Sequence, residues 1–227
     1  MTRIIGGEFG GRSIEVPASG TRPTSDRVRE AIFSKLMHDD VLDGAQVLDL
    51  FAGSGALGLE AISRGAKSAV LLDSSKKAAA TAQKNIEILG VSSRVRVATD
   101  DAIRYTAAMS RAGGITAPNL RLAIPDAQVN PELAAALAEQ TAKRAISLVF
   151  LDPPYNYSES DLTKVLENLV RTGLLVPGAT IVIERGSRTP PPTLPAAMHL
   201  TATKTYGETT VYFAEIVKTA DGQEVAQ

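Results

Sequence analysis

Between Val47 and Gly58 the chain reads Val-Leu-Asp-Leu-Phe-Ala-Gly-Ser-Gly-Ala-Leu-Gly, a short apolar run that enters three glycines spaced G-x-G-x-x-G and then a helix-forming stretch. No other segment restricts the fold as much. Glycines 53, 55 and 58 match the strand-turn-helix of a βαβ unit, where glycine permits the tight turn, admits a ligand to the backbone and lets the helix pack closely on its strand. By itself this spacing is a weak signal. Two acids sharpen it: Asp49 ends the strand four residues before the first glycine, and Asp73 follows that glycine by twenty positions, after a second apolar run from Ser68 to Leu72.

Asp73 has the position that grips a ribose in nucleotide-binding units. Asp49 does not suit a pyrophosphate site, because a carboxylate beside a phosphate cradle repels the anion that a helix N-terminus attracts. A cationic ligand suits it better, such as the ammonium and sulfonium of S-adenosylmethionine. An ordinary glycine-rich turn would need neither acid.

At 227 residues and 44% apolar, the chain is sized for one globular domain with a small appendage. Its net charge of -1 gives no whole-chain support for a nucleic-acid partner, so any basic surface must be local. The absence of cysteine removes disulfides, thiolate metal sites and cysteine nucleophiles. His38 and His199 are the only histidines, a structural or surface role is the better reading for each, and no metal site is expected. Apolar runs such as Ile146 to Leu151, which Ser147 interrupts, are far short of the ~20 residues that span a bilayer. The N-terminus lacks a signal-peptide core, so the expected location is the cytoplasm, with no membrane partner.

Residues 3 to 16 place Ile4 and Ile5, a glycine-rich turn and Ser13 to Val16 in a small β-hairpin. A helix is expected from about Ser25 to Met37, capped by Thr24, with Val28, Ile32, Phe33 and Leu36 as its buried stripe. Arg3, Arg12, Arg22, Arg27 and Arg29 are the only basic residues in the first 34. Arginine without lysine suits phosphate recognition. The competing explanation is a solvated helix face with ion pairs to Asp26 and Glu30.

Ala56 to Arg64 and Lys76 to Leu89 read as helices, and Arg94 to Ala98 as a strand ending in Thr99-Asp100-Asp101-Ala102. Three strands thus end in acids that converge on one edge of a parallel sheet. Residues 110 to 145 look like an insertion containing an alanine-rich helix from Leu133 to Arg144. Ser147 to Leu151 is the next strand, and it runs into Asp152-Pro153-Pro154-Tyr155. A carboxylate, a carbonyl on a proline-stiffened loop and an aromatic face together receive a flat ring bearing an exocyclic amine. Asp161 to Arg171 reads as a helix, Thr180 to Glu184 as a strand, and His199 to Thr205 and Thr209 to Ile216 as a closing hairpin.

The set Asp49-Leu50-Phe51-Ala52-Gly53-Ser54-Gly55, Asp73, Asp101-Ala102 and Asp152-Pro153-Pro154-Tyr155 resembles class I S-adenosylmethionine-dependent amino-methyltransferases. Arg3-Ile4-Ile5-Gly6-Gly7 with Gly11-Arg12, and Arg22-Pro23-Thr24 with Asp26-Arg27-Val28-Arg29-Glu30, are similar to the RsmD-type 16S ribosomal RNA guanine-N2 methyltransferases in particular. The resemblance implies a Rossmann-like α/β fold whose seven-stranded, mostly parallel sheet ends in an antiparallel hairpin. It implies S-adenosylmethionine as cofactor, its methionine part held by Asp49 and the glycine turn, its ribose by Asp73 beside Ser74, and its adenine by Asp101 and Ala102, with Asp100 competing for that role. Asp152 through Tyr155 would hold the target guanine, and the five arginines the RNA, either 16S rRNA or an assembly intermediate of the small subunit.

The expected organisation is an RNA-contacting extension over residues 1–40, a methyltransferase domain over 41–217 and a disordered tail over 218–227, in a monomer. Three rivals stand beside this. An adenine-N6 or cytosine-N4 methyltransferase of DNA or other RNA would share the Asp-Pro-Pro-Tyr logic. A nicotinamide oxidoreductase would leave Asp49 and that loop unexplained. A non-catalytic RNA-binding protein would need none of the four acids.

Overall fold

A computed structural model describes residues 2–16, 25–113 and 145–217. Arg22, Thr24, the expected 133–144 helix and the 218–227 tail lie outside the described residues. In chain order the elements are β1 (Thr2–Arg3), β2 (Ser13–Ile14), α1 (Asp26–His38), β3 (Gln46–Asp49), α2 (Ala56–Ser63), β4 (Ser68–Asp73) and α3 (Lys76–Leu89). There follow β5 (Val95–Thr99), α4 (Ala102–Gly113), β6 (Ile146–Leu151), α5 (Glu159–Arg171), β7 (Leu175–Gly186), β8 (Met198–Tyr206) and β9 (Thr209–Ile216).

Seven strands form one sheet in the order β5-β4-β3-β6-β7-β9-β8, and β1-β2 is a separate two-stranded ribbon. The five strands from β5 to β7 are mutually parallel, while β9 runs antiparallel to both β7 and β8. From β3 the chain steps outward to β4 and β5, then returns to place β6 on the other flank of β3. That reversal makes the gap between β3 and β6 the switch point, where ligands of such sheets bind.

The central strands are apolar on both faces because helices cover both sides. Leu148, Val149 and Phe150 of β6 are fully buried. On one face, Phe33 of α1 meets Phe150 with ring centroids 5.7 Å apart, and α2 and α3 join the same cluster. On the other, Leu162, Val165, Leu166 and Leu169 of α5 cover Leu48, Val149 and Ile181. The helical period of those leucines and valine is what turns one side of α5 inward.

Two local expectations are corrected. The α1 cap is Ser25, whose hydroxyl accepts from Val28 N at 3.3 Å, one residue later than Thr24. Helix α4, which no apolar period announced, starts where Asp101 Oδ1 accepts from Ile103 N and Arg104 N, and it runs past residue 110 to Gly113. Regular structure therefore continues into the stretch expected to be an insertion.

The β1-β2 ribbon is bound to the sheet's helical layer through α2 and α3. Glu60 of α2, fully buried, accepts from Ile5 N (2.7 Å) and Gly6 N (2.9 Å) and pairs with Arg64 (2.7 Å). Asn85 of α3, also fully buried, exchanges bonds with Glu15 N (2.8 Å) and Glu15 O (2.9 Å). Each amide left without its acceptor in such a setting costs about 1–3 kcal/mol, so these two side chains fix where the ribbon lies.

Candidate active site

The glycine turn joins β3 to α2 at the switch point. Gly53, at φ 56°, has open space where a Cβ would stand, and its N–H donates to Asp73 Oδ2 at 2.8 Å. A Cβ on Gly58 would lie 2.2 Å from Leu71 Cδ2, so only glycine lets α2 pack this closely on β4. Asp73 also accepts from Ser75 N at 2.8 Å, which ties the end of β4 to the turn. On the outer side, the carbonyl of Ser54 accepts from Asn85 Nδ2 at 2.8 Å.

A cavity of about 420 Å³ opens over this turn, within the size range of small-ligand sites. Phe51, Ala52, Gly53 and Ser54 line it beside Asp73 and Ser74, and Asp152, Pro153, Pro154 and Tyr155 line it from the loop after β6. Val16, Ser25 and Val28 border it from the N-terminal segment, and Glu184, Arg185 and Gly186 from the end of β7. The loop at 152 and the glycine turn thus face one space. Gly55, Asp49, Asp100, Asp101 and Ala102 do not line it.

Asp49 lies beneath the turn, 1% exposed, with Oδ2 accepting from Gly58 N at 3.2 Å and Oδ1 left without a hydrogen-bond partner. Burial pushes its carboxyl pKa up to about 7, and Asp152 and Asp73 add to the rise by repulsion. A buried carboxyl whose ionisation is opposed in this way regains its charge most readily beside a cation. Asp49 itself is not among the residues that line the cavity; it lies under the turn that does.

Asp100 and Asp101 follow β5, beside Asp73, whose carbonyl accepts from Asp100 N at 3.3 Å. Asp101 spends its Oδ1 on capping α4. Asp100 pairs with Arg104 Nε at 2.5 Å, and that bond lowers its pKa. Neither carboxylate lines the described cavity, so the expected adenine contact is not among its walls.

The loop after β6 is held by groups that sequence inspection missed. Arg185, 7% exposed, donates to Tyr157 O (3.4 Å) and Glu159 Oε2 (3.2 Å), while Glu159 Oε1 accepts from Thr193 N (2.8 Å). The Tyr157 ring meets Phe51 edge-on at 5.0 Å, and burial raises its hydroxyl pKa to about 12. Tyr155 itself stays 62% exposed, with its face available. The signal for Arg185 was a charged residue inside an apolar strand run, which requires a buried partner.

The arginines divide. Arg29 is 1% exposed and gives Nη2 to Arg3 O (2.6 Å), Asp26 Oδ1 (2.8 Å) and Thr2 Oγ1 (3.2 Å). It braces β1 against α1 and borders the cavity from within, rather than standing on the surface as an RNA contact was expected to. Arg12, exposed, donates to the last carbonyls of α3, at Ile88 and at Leu89 (3.4 Å), so its fork completes a helix terminus. Arg3, with a side chain 68% exposed and only a 3.8 Å approach to Asp26, and Arg27, exposed on α1, remain on the surface.

The Asp49 carboxyl makes a testable statement about stability. Its folded pKa of about 7 exceeds the ordinary 3.8, so between those values the unfolded chain has released a proton that the folded chain keeps. Stability of the ligand-free protein therefore falls as pH rises through that window, and Asp49→Asn, which cannot ionise, should be progressively more stable than the parent from about pH 4 to about pH 7. Urea unfolding across that range checks it; parallel curves for the two proteins would remove Asp49 as a strained group.

Comparison with known proteins gives consistent results. The model of the family described as conserved hypothetical protein 95 matches residues 2–117 and 111–215. Ribosomal RNA small subunit methyltransferase D of Escherichia coli K12 is 35% identical over 207 residues, covering 91% of this chain and 85% of that one. The enzyme of the same name from Haemophilus influenzae is 30% identical over 184 residues, covering 80% and 77%. A solved structure of a hypothetical protein from Thermus thermophilus superposes with a TM-score of 0.69 at 26% identity, covering 95% of this chain and 100% of that one. With its cavity, its acid-ended strands and these relatives in agreement, the chain belongs to the conserved hypothetical protein 95 family, of RsmD-like methyltransferases.

Proposed function

We propose that this protein transfers a methyl group from S-adenosylmethionine to the exocyclic N2 amine of a guanine in 16S ribosomal RNA of the small subunit. One observation carries the proposal: Gly53, Ser54 and Asp73 share a cavity with Asp152 to Tyr155. The names of the relatives support the same substrate class. The residues present fit the cofactor, since the cavity has an open glycine for close approach, a ribose-type acid in Asp73 and, beneath it, an unpaired buried carboxylate oxygen on Asp49. When bound there, S-adenosylmethionine supplies an electrophilic methyl group.

The chain's own residues supply position and charge. The glycine turn and Asp49 hold the methionine end, Asp73 and Ser74 the ribose, and the segment Asp100 to Ala102 lies on the adenine side. Asp152 accepts hydrogens of the guanine amine, whose lone pair is otherwise delocalised into the ring, and opposes the positive charge that grows on that nitrogen. Pro153 and Pro154 stiffen the loop, and Tyr155 stacks on the base, which orients the amine. A base paired within a helix cannot reach such a loop, so the target is unpaired or turned out of its stack.

Residues 1–40 serve as an RNA-contacting extension, which fits the cavity edge formed by Val16, Ser25 and Val28. We propose that it acts as a monomer. Among the described residues no helix is long and apolar enough to cross a membrane. We place the activity in the cytoplasm, on 16S rRNA or a small-subunit assembly intermediate.

Replacing Asp152 with alanine should cut single-turnover methyl transfer ~10²-fold or more while leaving the affinity for S-adenosylhomocysteine within about threefold. Turnover within about threefold of the parent would take Asp152 out of the mechanism. Charge reversal at Arg3 and Arg27 together should weaken RNA binding and flatten its salt dependence by a log-log slope of about 1 to 2. An unchanged slope would show that RNA docks elsewhere.

A further inference from the structure

Guanine, adenine and cytosine all carry an exocyclic amine, and a carboxylate with an aromatic face receives any of them. What separates them is the ring position next to the amine. Guanine presents a donor there, N1–H. Adenine and cytosine present a lone pair, on N1 and N3.

The wall beside Asp152 holds a second acid. Strands β6 and β7 are parallel, and Leu151 is paired with Ile183. Asp152 is the first residue after β6 and Glu184 the residue after Ile183 in β7, so the two acids leave the last paired position of these strands side by side. Both line the cavity. Glu184 is also paired with Val211 of β9, so its backbone is fixed from both flanks. The neighbouring Arg185, which also borders the cavity, holds Tyr157 and Glu159 and so anchors the substrate loop to this same strand.

Two residues beyond Glu184, Gly186 leaves room for Tyr155. A Cβ there would stand 3.3 Å from Cδ1 and Cε1 of the tyrosine ring, tighter than most side-chain contacts. The aromatic face, Asp152 and Glu184 therefore belong to one wall built at the ends of β6 and β7.

On the reading of the preceding subsection, on which this rests, we propose that Glu184 accepts the N1–H of the target guanine while Asp152 accepts from its N2 amine. The pair then selects guanine over the other amine-bearing bases. A carboxylate beside N1–H forms a charge-assisted hydrogen bond. The same carboxylate beside the lone pair of adenine N1 or cytosine N3 meets acceptor with acceptor, and the buried mismatch rejects those bases.

The test uses the whole protein and small-subunit RNA in which the modified position, once mapped, carries guanosine or 2-aminopurine riboside. The analogue keeps the amine but offers a lone pair at N1. The unaltered protein should prefer guanosine by ~10- to 100-fold, the usual worth of one specific base contact. Glu184→Gln, whose amide can donate to that lone pair and accepts from N1–H only without charge assistance, should lower guanosine turnover yet keep or gain turnover of the analogue, moving the ratio toward one. Affinity for S-adenosylhomocysteine should stay unchanged.

Equal turnover of both bases by the unaltered protein would overturn the proposal without any variant. So would a Glu184→Gln protein that slows both equally or retains the full preference, since a merely structural residue does that. Failure of the unaltered protein to methylate any guanine would instead overturn the enzyme reading, and this proposal with it.

Discussion

The site depends on β3 and β6 lying side by side although paired positions such as Val47 and Leu148 are far apart in the chain. The ladder between them extends one step past Asp49, where Leu50 N donates to Phe150 O at 3.0 Å. That contact brings the glycine turn and the Asp-Pro-Pro-Tyr loop to a common edge. Neither segment makes a site alone: the turn offers a bed for a ligand, the loop a receptor for an amine, and only their adjacency lets a group pass from one to the other.

The same adjacency concentrates negative charge. Asp73 and Asp152 both oppose ionisation of Asp49, which is buried with an oxygen unpaired. A fold under selection for stability alone would replace such a group by a neutral one. Its presence is understandable where a cationic ligand completes the site. Scaffold stability is supplied elsewhere, by apolar packing on both faces of the sheet and by the buried Glu60 and Asn85, which fasten the N-terminal ribbon to α2 and α3.

Much of this is legible in the sequence because it is local. Gly53, Gly55 and Gly58 declare a turn whatever surrounds them, and the acids at the ends of β3, β4 and β6 follow from strand direction. The closing hairpin and the helices α1, α3 and α5 follow from apolar period. What stays hidden depends on direction and partners. Arg29 precedes Phe33 by one helical turn and so shares its buried face, whereas a count of charge alone groups it with the surface arginines. Asn85 sits on the inward stripe of α3 with Ala82, Ile86 and Leu89, a polar intruder whose partners, Glu15 and Ser54, only the fold supplies. Aspartate suits a ligand contact and a helix cap equally well, so sequence alone does not separate those roles at Asp101, and without the cap α4 has no visible start. The level placement of Asp152 and Glu184 emerges only once the β6-β7 register is known.

The most direct measurement supplies small ribosomal subunits with methyl-labelled S-adenosylmethionine and this protein, then digests the RNA to nucleosides. The account predicts label in N2-methylguanosine at a single position of the 16S RNA. Label recovered as N6-methyladenosine or N4-methylcytidine, or no label in RNA from naked, partly assembled and mature subunits alike, would contradict it.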